Sequence, residues 1–246
     1  MGKLFYLSAV CFCFIFSCTT SGEKNNTSTA ENATIKPAIL RARGIDLSKY
    51  HGNLSDYLTR HKDSLSFVIT RASYGISTDV DFSSTLKTAK KLGLIVGAYH
   101  VYYSDGHPLE QASHFLDVTS TWEKTNLPLI ADIEIGGIDR SKDIVTIQNN
   151  MLLFLEQIKQ RTGRAPIIYT NKNIGDRYLS DQRFASFPLW IACYITKPVP
   201  EIPIAWKESG WTFWQKNFSF IVSSPTDTYD IFNGDISQLK EWIRAH

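Results

Sequence analysis

The chain has 246 residues, with 26 Lys and Arg against 24 Asp and Glu, a formal net charge of +2. With no basic run, this near-balance leaves no electrostatic footprint for nucleic acid, and no nucleic-acid partner is expected. Of the four cysteines, Cys11, Cys13 and Cys18 fall near the start, so Cys193 has no second thiol for a disulfide within the rest of the chain. A domain of this size buries enough core to be exported without one.

MetGlyLys precedes an apolar run from Leu4 to Phe16. This run is shorter than the roughly 20 residues a spanning helix needs. A short charged start before it marks residues 1–17 as a secretory signal. The run closes on IlePheSerCys, which resembles a bacterial lipoprotein signal with Cys18 as the lipidated residue, although Ile15 stands where Leu is usual. Tyr6 occupies the position where myristoylation requires Ser or Thr. From Thr19 to Thr34 there is no large apolar residue, so residues 18–42 are expected to form a flexible tether. The reading predicts an exported protein of the cell envelope, held to a membrane through lipid at Cys18. The sequons at Asn25, Asn26, Asn32, Asn53 and Asn217 are expected in a chain this rich in Ser, Thr and Asn and carry no separate weight.

From Arg43 to His246 the pattern is that of one domain, and nothing in it requires more than a monomer. Short β-branched runs at 44–47, 66–72, 94–101, 127–134, 165–170, 188–194, 212–215 and 229–232 read as eight strands. Between the early ones lie helical spacings: Phe82, Leu86, Ala89 and Lys90; then Ala112, Phe115, Leu116 and Trp122. The clearest is Ile144, Ile147, Met151, Leu152, Leu155 and Ile158, with Ser141 or Asp143 to start the helix and Gly163 to stop it. A further helix is expected from Ile236 to Arg244. Strand–helix alternation implies a mostly parallel α/β sheet. The expected form is a barrel with regular βα units first and a strand-rich second half.

The fourth strand, ProLeuIleAlaAspIleGluIleGly at 128–136, ends in two acids. Residues two apart share a face of a strand, so Asp132 and Glu134 are predicted to point the same way, roughly 6.5–7 Å apart along the backbone. An apolar strand does not place two carboxyls on one side without a use for them. Paired carboxyls suit glycoside hydrolysis, one protonating the leaving oxygen and the other meeting developing positive charge. A metal site and a solvated strand end are the competing readings. Active sites of βα barrels lie at the C-terminal strand ends. Asp46, Asp230, Tyr99, His100, Tyr169 and Tyr194 all fall near such ends. Trp190, Trp211 and Trp214 are individually core candidates; grouped near acids, they make a carbohydrate ligand plausible. Cys193, in LeuTrpIleAlaCysTyr, reads as a packed small residue.

Eight segments in order resemble glycoside hydrolase family 25, the lysozymes of the Chalaropsis or cellosyl type. They are GlyIleAspLeuSerLysTyrHisGly at 44–52, PheValIleThrArgAlaSerTyrGly at 67–75, GlyAlaTyrHisValTyrTyrSer at 97–104, AspIleGlu at 132–134, IleIleTyrThrAsn, LeuTrpIleAlaCysTyr, PheTrpGln and TyrAspIlePheAsnGly. His51 departs from the usual Gln of the first motif, and Lys216 with Asn217 from the usual TyrSer or TyrThr. The resemblance implies a single-domain, irregular TIM-like (β/α)5(β)3 barrel over 43–246. It implies an N-acetylmuramidase acting on peptidoglycan, without metal or cofactor. Glu134 would be the general acid and Asp132 its electrostatic or substrate-orienting partner. Asp46 and Asp230 would support them, and Arg71, Tyr99, Tyr169, Trp190 and Tyr194 would line the cleft. A peptidoglycan-binding lipoprotein without catalysis, or a hydrolase of another N-acetylhexosamine polymer such as chitin, are the alternatives.

Overall fold

The computed structural model describes residues 40–48, 54–195, 197–217 and 228–246. The signal segment, Cys18, most of the tether and His51 of the first motif lie outside these residues.

Nine strands form one sheet: β1 (Arg43–Leu47), β2 (Phe67–Tyr74), β3 (Ser77–Thr78), β4 (Ile95–Val101), β5 (Ile130–Asp132), β6 (Ile167–Asn171), β7 (Leu189–Ala192), β8 (Phe213–Asn217) and β9 (Thr228–Phe232). The order is β1-β9-β8-β7-β6-β5-β4-β2-β3, and β1 also pairs with β2, which closes eight strands into a barrel. β3 is a short antiparallel flap on β2 outside the ring. All ring pairings are parallel except those of β9, which runs antiparallel to β8 and β1.

Helices follow the first five ring strands: α1 (Leu54–His61), α2 (Phe82–Lys91), α3 (Pro108–Val118), α4 (Ile144–Thr162) and α5 (Lys172–Tyr178). Among the described residues no helix of that kind follows β7 or β8, and α6 (Ile236–Ala245) follows β9. This is five βα units and three further strands in one domain, as the resemblance implied. On α4 the Asp143 carboxylate accepts from Thr146 N–H, and Gly163 takes the left-handed conformation (φ 70°) after the last turn. The shorter α1 and α5 carry too few turns for a periodic signal; α5 begins directly where β6 ends, capped by Asn171. Trp122 falls beyond the end of α3, and its indole N–H donates to the Leu127 carbonyl at 2.8 Å.

The inner and outer faces of the barrel have separate cores. Phe67, Ile69, Ile130, Ile167, Trp190, Phe213 and Phe232 fill the inside. Ala131, Ile133, Ile168, Leu189, Ile191 and Trp214 face the helix layer with Phe115, Phe154 and Leu155. The fit is tight at Gly44, where a Cβ would lie 2.2 Å from the Phe67 ring. A side chain there would collide with the barrel floor.

Candidate active site

The sheet register builds the site. Asp132 pairs with Tyr169, Tyr169 with Trp190, Ala192 with Gln215, and Gln215 with Asp230. Asp230 pairs with Gly44, two residues before Asp46, and Arg71 pairs with Tyr99. Because side chains alternate, these positions share the inner face near the C-terminal ends of the parallel strands. The ladder stops at Asp132, yet Glu134 remains extended (φ −125°, ψ 166°). Alternation therefore continues past the last ladder pair and puts Glu134 on the side of Asp132.

A short 3-10 turn, Ile135–Gly137, holds Glu134 from behind. Gly137 N–H donates to the Glu134 carbonyl at 3.0 Å, and Ser104 N–H donates to the Gly137 carbonyl at 2.7 Å. Ser104 Oγ accepts from Asp139 N–H at 2.6 Å. Gly137 sits so close to the next loop that a Cβ would lie 2.1 Å from the Tyr102 carbonyl oxygen.

Deeper in the barrel a polar network joins the acids. Trp190 Nε1–H donates to Asp230 Oδ1 at 2.9 Å. Asp230 is fully buried (0% exposed) and meets Asp46 carboxyl to carboxyl. Two carboxyls hydrogen-bond only if one carries a proton. Asp230 is the fully buried member of the two, and its Oδ2 has no hydrogen-bond partner among the described residues, which favours the neutral form there. Burial first, then the Asp46 charge, pushes Asp230 well above the usual carboxylate range, against the pull of the Trp190 N–H.

The Asp132–Glu134 pair is also pushed toward the protonated form. For Asp132 the cause is burial first, then the charges of Glu134 and Asp46, with Arg71 pulling the other way. For Glu134 it is burial and then Asp46. Glu134 as a residue is exposed, but the atoms crowded around its carboxyl still desolvate it at the cleft mouth. In the free protein the stronger upward push falls on Asp132, whose Oδ1 is buried with no hydrogen-bond partner among the described residues.

The remaining predicted residues divide by exposure. Tyr99 and Tyr169 are buried in the inner core and Tyr194 is open to solvent (54% exposed). Desolvation pushes the Tyr194 phenol up to about 12. Arg71 is buried beside the acids, its Nε–H donating to Asp79 Oδ2 at 2.6 Å. Trp190 is buried (2% exposed), so its ring face is closed to a ligand, and its N–H is taken up by Asp230. Trp211 and Trp214 pack edge to face on the outer side, with ring centroids 5.8 Å apart, and the Trp214 N–H donates to the Cys193 carbonyl at 2.7 Å. His100 points away from the site, between Phe115 and Phe154. Burial lowers its pKa to about 3. Three residues join the site that pattern reading did not single out: Gln215, Asp79 and Ser48, which hydrogen-bonds Tyr99. Gln215 stood at the end of a predicted strand; Asp79 carried no sequence signal. Among the described residues no group of three His, Cys, Asp or Glu is placed to hold a metal ion.

An exposed carboxyl pushed toward its protonated form, beside a buried carboxyl and a wall of phenols, suits protonation of a leaving oxygen in an open cleft. The fold is similar to a muramidase from Acremonium alcalophilum, 28% identical with a TM-score of 0.74, covering 84% of this chain and 100% of that one. It is similar to a bacterial lysozyme from Streptomyces coelicolor, 26% identical with a TM-score of 0.72, covering 83% and 98%. Over 215 residues it is 26% identical to the uncharacterized protein YegX of Escherichia coli, covering 84% of this chain and 75% of that one. The model of the glycosyl hydrolases family 25 matches residues 45–221. The chain belongs to that family and is a glycoside hydrolase.

Proposed function

We propose that this protein is a lysozyme that hydrolyses the β-1,4 bond from N-acetylmuramic acid to N-acetylglucosamine in peptidoglycan. Family membership and likeness to a muramidase and a lysozyme support the substrate class. The observation that carries the reading is the Asp132–Glu134 pair: a buried carboxyl with an unpartnered oxygen beside an exposed carboxyl held toward its protonated form.

In this reading Glu134 protonates the glycosidic oxygen. Asp132 accepts the N–H of the sugar's 2-acetamido group through its carboxylate and so turns that group's carbonyl oxygen toward the anomeric carbon. That hydrogen bond favours the charged form of Asp132. The proton the pair shares in the free protein then resides on Glu134, where the leaving oxygen arrives. Asp46 maintains the negative potential that keeps Glu134 protonated. Arg71 balances the charge on Asp132, and Tyr99, Tyr169 and Tyr194 line the cleft.

The test is turnover of purified peptidoglycan by the intact protein, with mass spectrometry of the new ends. New reducing muramic acid ends are expected, and Glu134→Gln should lower turnover roughly 100- to 10,000-fold while the protein stays folded. Reducing glucosamine ends would refute the bond assignment. Binding without turnover by a folded protein would refute catalysis, and cleavage of chitin but not peptidoglycan would reassign the polymer.

The reading extends to location. Residues 1–17 direct export, Cys18 carries lipid, and residues 18–42 let the domain reach the wall from the membrane. Cys18→Ala is expected to move the protein from the membrane fraction to the soluble fraction; a variant still sedimenting with membranes would refute the anchor.

A further inference from the structure

We propose that Gln215 is a positioning residue of this site: its side chain holds Asp46 as a charged acceptor facing the other acids and decides where the hydroxyl protons of Tyr169 and Tyr194 point. The inference rests on the reading of the site given above. It concerns a residue that neither the acid pair nor the cleft wall includes.

Gln215 is buried (4% exposed) on β8, between Ala192 and Asp230 in the register. Its Nε2–H donates to Asp46 Oδ1 at 2.7 Å. Its Oε1 accepts from Tyr169 OH at 2.8 Å and from Tyr194 OH at 2.6 Å. The orientation of the amide is decided by chemistry. A carboxylate has no hydrogen to give, so the amide can meet Asp46 only through its NH2. Once that end faces Asp46, Oε1 faces both phenols, and an oxygen with lone pairs only must take both of their protons.

Two consequences follow. First, Asp46 receives a neutral donor from Gln215 and lies carboxyl to carboxyl with Asp230, which burial holds toward its neutral form. Both favour its charged form without adding a cation that would cancel its field. That field is one of the causes that keep Glu134 and Asp132 toward protonation, so Gln215 acts on the proton-donating acid at one remove. Second, both phenols have spent their hydrogens. What Tyr194 offers the open cleft is lone pairs, so it accepts from sugar hydroxyl or amide N–H groups and does not donate to them. A Glu at this position would be of the same shape, but it would face Asp46 with an acceptor.

The experiment compares the intact protein with Gln215→Met, similar in length but without donor or acceptor groups, and with Gln215→Glu. The first readout needs no substrate: the carbon-13 chemical shift of the Asp46 carboxyl, followed by NMR as a function of pH. Asp46 should titrate at higher pH in both variants than in the parent protein. The second readout is the pH profile of peptidoglycan turnover. The acid limb of kcat/KM should move to higher pH, with kcat/KM at the optimum reduced roughly 10- to 100-fold. A residue that only packed the barrel would lower stability and rate while leaving the titration and the acid limb in place. An unchanged Asp46 titration in either folded variant would overturn the proposal. Should Gln215→Met fail to fold, the isosteric Gln215→Glu decides alone. Should the parent protein not cleave peptidoglycan, the functional reading fails, and the substrate-free titration still decides the network.

Discussion

The turn behind the general-acid candidate offers a test with an internal control. Gly136 and Gly137 are neighbours, and neither has a positive φ, so backbone conformation alone admits alanine at both. Space does not. A Cβ on Gly136 meets nothing within 4 Å, whereas one on Gly137 would lie 2.1 Å from the Tyr102 carbonyl oxygen. That carbonyl belongs to a backbone segment whose Tyr102 N–H is bonded to the Asp132 carbonyl and whose Ser104 N–H is bonded to the Gly137 carbonyl. It cannot swing aside as a flexible side chain would. Relief requires the turn to back away by roughly 1 Å, at a cost of about 1–3 kcal/mol for an overpacked contact. At roughly 2–4 °C per kcal/mol for a domain of this size, Tm should fall by about 2–12 °C. Because Gly137 is also bonded to the Glu134 carbonyl, the displacement reaches the acid, and a misplacement of about 1 Å lowers turnover roughly 100-fold. Gly136→Ala should stay within about 0.5 kcal/mol of the parent. Differential scanning calorimetry and peptidoglycan turnover on the two variants check both halves. Equal Tm and equal kcat for the two alanine variants would refute the idea that this contact sets the position of Glu134.

Two buried titratable groups make opposite predictions for stability against pH. Asp230 has its folded pKa raised, so its neutral form stabilises the fold below the ordinary carboxylate range, and that contribution is lost as pH climbs above about 4 and passes through the raised value. Asp230→Asn should therefore flatten the decline on the alkaline side in urea unfolding series; an unchanged slope would show that Asp230 is charged in the native state. His100 is lowered to about 3, so the unfolded chain takes up a proton first, and stability falls as pH drops below about 6.5, by about 1.4 kcal/mol per pH unit. His100→Gln should remove that acid slope whatever its effect on absolute stability, and an unchanged slope would place the loss elsewhere.

How far the site was legible follows from where its information lies in the chain. Asp132 and Glu134 are two residues apart, so local alternation alone put them on one face, and the extended backbone at Glu134 preserved it beyond the ladder. Trp190 and Trp214 look alike in sequence, each an indole in a short apolar strand. Their fates divided because one faces the barrel interior and the other the helix layer. Alternation says which residues share a face, but not which face is inside. Asp79 was silent because nothing local announces that it will meet Arg71 across a two-residue flap.

The sequence by itself determined the order and type of the main elements, the caps of α4, and the placement of acids at strand ends, because those depend on propensity and spacing within a few residues. Only the tertiary structure decided that Gln215 lies against Asp46 across 169 residues of chain, and that the Asp230 carboxyl meets that of Asp46. It also brought the Tyr169 and Tyr194 hydroxyls to Gln215 Oε1. Those relations arise from the closure of β1 on β2 and the antiparallel entry of β9, which bring the two ends of the domain side by side. A hydrogen bond needs its partners within about 3 Å, and no periodicity along a chain can specify that distance between residues its folding has yet to bring together.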